Sequence, residues 1–408
     1  MNISNSFVIE QLEKQNKNLM NTAVLLGSAN LPFPEIHAIN AYLLDYNAAE
    51  GKRFQRIFPG CQELDTIEAY GEECLKELFH IPNHFKFSFN PLSGTQANQI
   101  VYNAMLKPDS IILSLSLRSG GHMSHIDYLK KYYQVIEYHF SEEKEGLDYN
   151  EIEYLCEKYH PELLIAGASS YPLLIRYDLI GEICKKNKCL LLADISHTAL
   201  YIMENLQPNP FEWADFITFT THKTTRGPRG AILAYNCKYE PQIDFSIFPV
   251  SQGAPIFSQI CAKVIMLETL LKQNRGEYCN RIFHLTDLFI KELKKNGIPL
   301  WIGRTDTHLC IADLHKYNSF NSADEFQKLF EESGIYVNTC YLPSDNAIPN
   351  GIRFGLMMLA TLDINDTDLK LLSNLIVKII QSKKTISNKC VSEIMSPYYI
   401  NYWRKYYE

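Results

Sequence analysis

Between about residues 85 and 240, short β-rich apolar runs alternate with stretches of helical periodicity. The runs are Ser110 to Leu115, Tyr133 to Phe140, Leu163 to Ala168, Cys189 to Asp194, Trp213 to Phe219 and Ala231 to Tyr235. Strands alternating with helices predict an α/β fold built on a mainly parallel sheet with helices over its faces. After about residue 280 the pattern changes to a smaller α+β unit. Strands are expected there near His308 to Leu314 and Gly351 to Gly355, with helices over Ala323 to Ser333 and Asp366 to Ser382. The chain thus divides into an N-terminal arm (1–21), a large domain (22–280), a small C-terminal domain (281–385) and an extension (386–408). The arm is polar, helix-compatible and too short to bury a core, so it is expected to clasp a partner subunit. The extension is aromatic around Ser396 to Trp403 and suited to docking on a surface.

With 408 residues, 46% hydrophobic and 21% charged, the chain is large enough for two or three domains and has an ordinary globular composition. The formal net charge of -7 argues against nucleic acid or an anionic membrane as the main partner, and for a small molecule. Eleven scattered cysteines lack the paired spacings of zinc or disulfide frameworks and read as reduced, packed thiols. No basic-then-apolar leader opens the chain and no run of about eighteen apolar residues occurs. The cytoplasm is the expected location.

Four local sequences carry chemistry. Ser93-Gly94-Thr95 precedes a helical pattern running through Met105, and amides at a helix start beside hydroxyls form an anion site suited to phosphate. The same residues also read as a simple helix cap. In Gly120-Gly121-His122, glycines let the backbone approach closely and present an imidazole that could stack on a flat ring; the rival reading, metal binding by His122 and His125, lacks a thiolate or carboxylate to complete a set, and no metal is expected. Asp194 ends an apolar strand, at the carboxyl edge where parallel sheets bind ligands, with His197 one turn on. Facing a pyridine nitrogen, such a carboxylate would keep it protonated and make the ring an electron sink. Finally, Thr220-Thr221-His222-Lys223 follows the next apolar strand, with Arg226 and Arg229 close behind. Neighbouring cations favour the neutral, nucleophilic amine of Lys223, which suits it to anchor pyridoxal phosphate.

The order of these signals, and the local sequences Ser93-Gly94-Thr95-Gln96-Ala97-Asn98, Thr220-Thr221-His222-Lys223 and Gly227-Pro228-Arg229-Gly230, resemble the serine hydroxymethyltransferase family. The resemblance runs from about Leu25 to past Ser382. It implies pyridoxal 5'-phosphate as cofactor and the fold type I architecture of aspartate aminotransferase, with a seven-stranded sheet. It also implies roles. Lys223 would hold the cofactor covalently, with His222 and Thr220 beside it. Ser93, Gly94 and Thr95 would bind its phosphate, helped by Gln252, Gly253 and Ala254 from a neighbouring subunit. Asp194 would meet the pyridine nitrogen, His122 would stack, and Ser169 and His197 would contact the ring's polar edge. Arg353 would clamp the substrate carboxylate, Glu50 would handle the β-hydroxyl proton, and Ser28 and Arg229 would complete the substrate site. Shared sites of this kind imply an obligate homodimer.

The chain departs from the family pattern on one side. Ser28-Ala29-Asn30 stands where the family has Ser-Glu-Asn, and Ala48, Ile57 and Phe58 stand where it has tyrosines, the one at Ile57 lying along the folate. Lys52, Arg53 and Arg56 are expected to fill part of that space with cation. Gly355-Leu356-Met357-Met358 replaces Gly-Thr-Pro-Ala, and the folate-facing loop is shortened to Leu342 to Asn350. The changes spare the cofactor residues and alter the pteridine side. The expectation is a folate-independent enzyme of aldol type, cleaving or forming the Cα–Cβ bond of a small L-amino acid of serine, threonine or glycine type, with an aldehyde or one-carbon acceptor as partner. The alternatives are an authentic tetrahydrofolate-dependent hydroxymethyltransferase, redirected carbanion chemistry (transamination, racemisation or β-replacement), and a non-catalytic cofactor-binding subunit.

Overall fold

A computed structural model describes residues 6–317 and 322–407. The first five residues of the expected arm and the last residue of the expected extension lie outside these. The chain forms two compact units, residues 30–279 and residues 1–29 with 280–408.

The unit of residues 30–279 is built on a seven-stranded sheet, six of whose strands fall on the apolar runs. Its strands are β1 (Phe85–Ser88), β2 (Ile111–Leu115), β3 (Gln134–Tyr138), β4 (Leu163–Gly167), β5 (Leu190–Asp194), β6 (Phe216–Thr220) and β7 (Ala231–Asn236), in the spatial order 1-7-6-5-4-2-3. Strands β6, β5, β4, β2 and β3 run parallel, so their carboxyl ends share one edge; β7 is antiparallel to both its neighbours. Every residue of β4 and β6 is buried, which is why these strands read as continuous apolar runs.

Helices α1 (Gln62–Phe79), α2 (Gly94–Met105), α3 (Tyr149–Tyr159), α4 (Tyr177–Asn187) and α5 (Phe257–Lys272) accompany the sheet. Helix α2 turns Ala97, Ile100 and Val101, at helical spacing, into a core with Leu163, Ile165, Leu192, Phe216 and Leu233. Two expected strands differ in extent. The run from Tyr133 ends at Tyr138, because Phe140–Ser141 turns away to pair with Gly146–Leu147. The run from Trp213 begins only at Phe216, because Pro210–Glu212 forms a short helical turn whose Pro210 carbonyl accepts from the Trp213 and Ala214 amides.

In the other unit, β8 (Leu309–Asp313), β9 (Asn338–Cys340) and β10 (Gly351–Gly355) form an antiparallel sheet in the order 8-10-9. Helices α6 (Ala323–Glu332), α7 (Asp366–Ser382) and α8 (Asn388–Tyr407) accompany it. Residues 22 to 29 belong here, since Ala23–Val24 pairs in parallel with Ile335–Tyr336. The aromatic extension is the helix α8, which buries Val391, Met395 and Tyr399 and leaves Trp403 half exposed. Of the cysteines, only Cys237 and Cys390 are exposed, and all are free thiols. Among the described residues no helix is long and apolar enough to cross a membrane.

Ile165, fully buried at the sheet's centre, is the simplest test of this core. Ile165→Ala is expected to lower unfolding free energy by about 3 kcal/mol, read from urea titration of the apoprotein. A loss below about 1 kcal/mol would show that β4 is not packed as described.

Candidate active site

The carboxyl ends of β2, β4, β5 and β6 are joined by the loops that leave them. After β2 the chain turns back through Gly120 and Gly121; a Cβ on Gly121 would lie 2.1 Å from the Leu115 carbonyl oxygen, so no larger residue fits. The Gly120 carbonyl accepts from the amides of Ser169 (2.8 Å) and Ser170 (3.0 Å), which clips the exit of β4 to the exit of β2. His122 and Ser169 are thereby held on neighbouring loops. The His122 ring is oriented by Ser124, whose backbone amide donates to Nδ1 at 3.2 Å and whose Oγ lies 2.7 Å from the same atom.

Asp194, at the end of β5, is bound on both oxygens. Oδ1 accepts from the Ser196 amide (3.1 Å); Oδ2 accepts from Asn98 Nδ2 (2.9 Å) and lies 3.0 Å from His125 Nε2. Asn98 is fully buried on α2 and is fixed in turn by the Thr218 hydroxyl, which donates to its Oδ1 at 2.6 Å. Burial alone would raise the carboxyl's pKa. The bond and charge of His125, the charge of Lys223 and the bond from Asn98 outweigh it and hold Asp194 well below the usual carboxylate range. The carboxylate is therefore anionic at neutral pH. The roles of Asn98 and His125 were not foreseen; His125, weighed only as a metal ligand, is a partner of the carboxylate.

Lys223 sits in a loop that β6 and β7 close between them. The Thr220 amide donates to Ser196 Oγ (3.0 Å), Thr221 N to the Gly230 carbonyl (3.1 Å), and the Thr225 hydroxyl to the Thr221 carbonyl (2.8 Å). Asn30 Nδ2 holds the Lys223 carbonyl at 2.9 Å, and the lysine is buried. Arg226, in the left-handed region at φ 54°, turns its guanidinium onto the rings of Phe33 (4.6 Å) and Tyr278 (5.6 Å) rather than standing as an open cation. Arg229 is exposed. Burial, then the charges of Lys223 and Arg229, pull the His222 pKa down from 6.5 to about 4.

Ser93 caps α2, its hydroxyl accepting from the Gln96 amide at 3.1 Å, so the simple cap reading holds as geometry. Gly94 packs flush against β6: a Cβ there would meet Thr220 Cγ2 at 2.8 Å. Gln96 Nε2 reaches the Ser251 carbonyl (3.2 Å), tying the helix start to the segment that carries Gln252, Gly253 and Ala254. In the same chain, the Gly253 Cβ position is 3.6 Å from Glu50 Oε1.

Glu50 opens a hairpin, Gly51–Lys52 with Gln55–Arg56. Arg56 is buried beneath it, bonding the carbonyls of Ala49 and Gly51 (3.0 and 3.1 Å) and pairing with Asp65 (2.8 Å) and Glu68 (2.9 Å) of α1. Arg53 pairs with Glu72, and Lys52 with Glu240 and Asp244. Each of the three cations is matched by a carboxylate, a pairing that the expectation of cation in this space did not include. Ile57 and Phe58 stay partly exposed and line a groove of 540 Å³ with Phe54, Pro59 and Cys61. Ile57 and Phe58, which the resemblance aligns with tyrosines, are thus apolar surface.

In the other unit, Arg353 lies on the central strand β10, buried, with Nη2 donating to Asn338 Oδ1 at 2.9 Å. Burial lowers its pKa. Gly27 lies flush on it, since a Cβ would come within 2.7 Å of Arg353 Nε, and this brings Ser28 to the same strand. The shortened loop closes on itself: Asp345 accepts from the Leu342 and Asn350 amides (2.7 and 2.9 Å) and pairs with His315 at 2.9 Å. Leu356, Met357 and Met358 are buried in the core.

The residues of the 30–279 unit fit pyridoxal phosphate. Asp194 is preset as an anion for a protonated ring nitrogen. Thr220 Oγ1 and His222 Nδ1 are buried without a hydrogen-bond partner among the described residues, beside a lysine and a glycine-walled helix start. The depressed His222 pKa gives a signed prediction. Its neutral form contributes stability that is complete above pH 6.5 and is lost as pH falls towards about 4. NMR of the ring should show His222 neutral at pH 6; titration near 6.5 would contradict the burial described.

A profile of the family "Serine hydroxymethyltransferase" matches residues 2–376. The serine hydroxymethyltransferases of two strains of Dehalococcoides mccartyi (195 and BAV1) are each 31% identical over 410 aligned residues, covering 99% of this chain and 97% of theirs.

Proposed function

The chain belongs to the serine hydroxymethyltransferase family, and from that premise we propose that it uses pyridoxal 5'-phosphate to cleave or form the Cα–Cβ bond of a small L-amino acid without tetrahydrofolate. The family's enzymes have fold type I, depend on pyridoxal phosphate, act on amino acids and are typically oligomeric. The observation that carries the reading is the meeting of Lys223 with an anionic Asp194, bonded on both oxygens, at the carboxyl edge of the sheet.

When bound, the cofactor supplies an electron sink conjugated to the substrate's α-carbon. Lys223 would anchor it, and Asp194 would keep the proton on its ring nitrogen. His122 would cover one face, Ser169 and His197 would bond its polar edge, and Thr220 and His222 would flank the lysine. Ser93, Gly94 and Thr95 would hold the phosphate, with Gly253 and Ala254 contributed by a second copy of the chain. Arg353 would bind the substrate carboxylate through its bidentate fork, and Ser28 and Arg229 are the other residues assigned to the substrate. Glu50 would take the β-hydroxyl proton as the Cα–Cβ bond opens and the β-carbon leaves as an aldehyde. A carboxylate positioned for that transfer contributes about 10²-fold or more.

Folate independence is supported by three features: apolar Ile57 and Phe58 at phenol positions, the self-closed loop from Leu342 to Asn350, and the buried Leu356 to Met358. An authentic tetrahydrofolate-dependent hydroxymethyltransferase is the second reading, favoured by the likeness to curated relatives along 99% of the chain.

The test is glycine release from L-serine and L-threonine by the holoprotein, with and without tetrahydrofolate, using Lys223→Ala as the blank. Release without folate, reduced about 100-fold in Glu50→Gln, is expected. Release from serine that requires folate would overturn the folate-independent reading.

A further inference from the structure

Helix α5 is mostly apolar between Ile260 and Leu267, yet within that stretch it carries Lys263, whose side chain has no exposed surface. Burying an ammonium is costly unless bonds replace its water, so its partners matter. They are two backbone carbonyls: Nζ donates to Phe89 O at 2.6 Å and to Pro91 O at 2.8 Å. Both lie just past the end of β1, and Pro91 O also accepts from the Ala231 amide at 3.0 Å. Two residues beyond Pro91 stands Ser93, the start of the phosphate cradle. On its other side the lysine stem passes Gly230, the last residue of the loop that carries Lys223. A Cβ on Gly230 would fall 2.5 Å from Lys263 Cε, so this crossing requires glycine. Burial pulls the ammonium's pKa down to about 7, as its lack of a bonded carboxylate would dictate.

We propose that Lys263 is a positioning residue for the cofactor phosphate: it ties the backbone entering the Ser93-Gly94-Thr95 cradle to the end of the Lys223 loop, so that cradle and anchor keep a fixed separation. It touches neither cofactor nor substrate and acts through Phe89 and Pro91. In the ammonium form these bonds are charge-assisted, the stronger class of hydrogen bond. Without them the segment from Phe89 to Leu92 keeps the Ala231 amide on the Pro91 carbonyl, the Asn90 amide on Ser88 Oγ (3.3 Å) and the Leu92 amide on Gln96 Oε1 (2.7 Å), the last two within the same stretch of chain. The phosphate therefore feels the loss while the ring, held by Asp194 and Lys223, does not.

The proposal rests on the pyridoxal phosphate reading, and the test separates the two. Equilibrium dissociation constants of pyridoxal 5'-phosphate and of pyridoxal, which lacks the phosphate, are measured by absorbance on the apo form of the wild type and of Lys263→Met, which fills the same space without donors. The expected result is a preference for the phosphorylated form that falls about tenfold or more in Lys263→Met, with pyridoxal affinity within about twofold of wild type. A preference kept in the variant, or an equal loss of affinity for both compounds, overturns the proposal alone. A wild type that binds neither compound, or does not prefer the phosphorylated one, overturns the cofactor reading and the proposal with it. Should Lys263→Met not fold, Lys263→Gln, whose amide keeps a donor in the same space, is read by the same ratio, with a smaller fall expected and an unchanged ratio overturning the proposal.

Discussion

The anionic state of Asp194 is the constraint on which this architecture turns. A carboxylate at the end of a covered strand would take up a proton, or unfold its surroundings, were it not met by donors on both oxygens. Those donors come from separate places: Asn98 from α2, His125 from beyond β2, and the Ser196 amide from its own turn. Thr218 on β6 fixes Asn98. Five parallel strands bring their carboxyl ends to one edge, and the carboxylate joins what they deliver into one bonded unit.

Around that unit, positions are set by close approach as much as by bonding. Gly121 against Leu115, Gly94 against Thr220 and Gly230 against Lys263 are places where a single Cβ would displace backbone or a buried side chain. Loops that might wander are thereby pressed against the sheet edge. The Glu50 hairpin follows another rule. Its guanidinium is buried with two carboxylates of α1 while it bonds the carbonyls on either side of Glu50. Removing one partner would leave buried charge unmatched, at a cost of about 3 to 5 kcal/mol.

Much of this was legible in the order of residues. The parallel strands announce themselves because they are buried on both faces, and Lys223, Asp194 and Ser93 stand at strand or helix ends where backbone geometry favours function. Other features were not legible, for physical reasons. Strand β1 has four residues, one of them Lys86, and draws its identity from pairing with β7, more than 140 residues later. Asn98 and His125 matter through a carboxylate 96 and 69 residues away, a proximity that only the folded sheet creates. Lys263 reads as one more charge on a helix, because no local pattern distinguishes a lysine aimed at backbone carbonyls from one aimed at water. The matching of Arg53 and Arg56 was within reach: Asp65, Glu68 and Glu72 share one face of α1 at helical spacing, and that stripe was the missed signal.

The central claim is that the sheet edge presents Lys223, and no other lysine, to pyridoxal phosphate beside an anionic Asp194. Its most direct measurement is borohydride reduction of the protein mixed with pyridoxal 5'-phosphate, followed by peptide mass mapping of the fixed adduct. The account predicts one reduced adduct per chain, on Lys223, that is weakened when Asp194 is changed to Ala. An adduct spread over surface lysines, or one on Lys223 indifferent to Asp194, would contradict it.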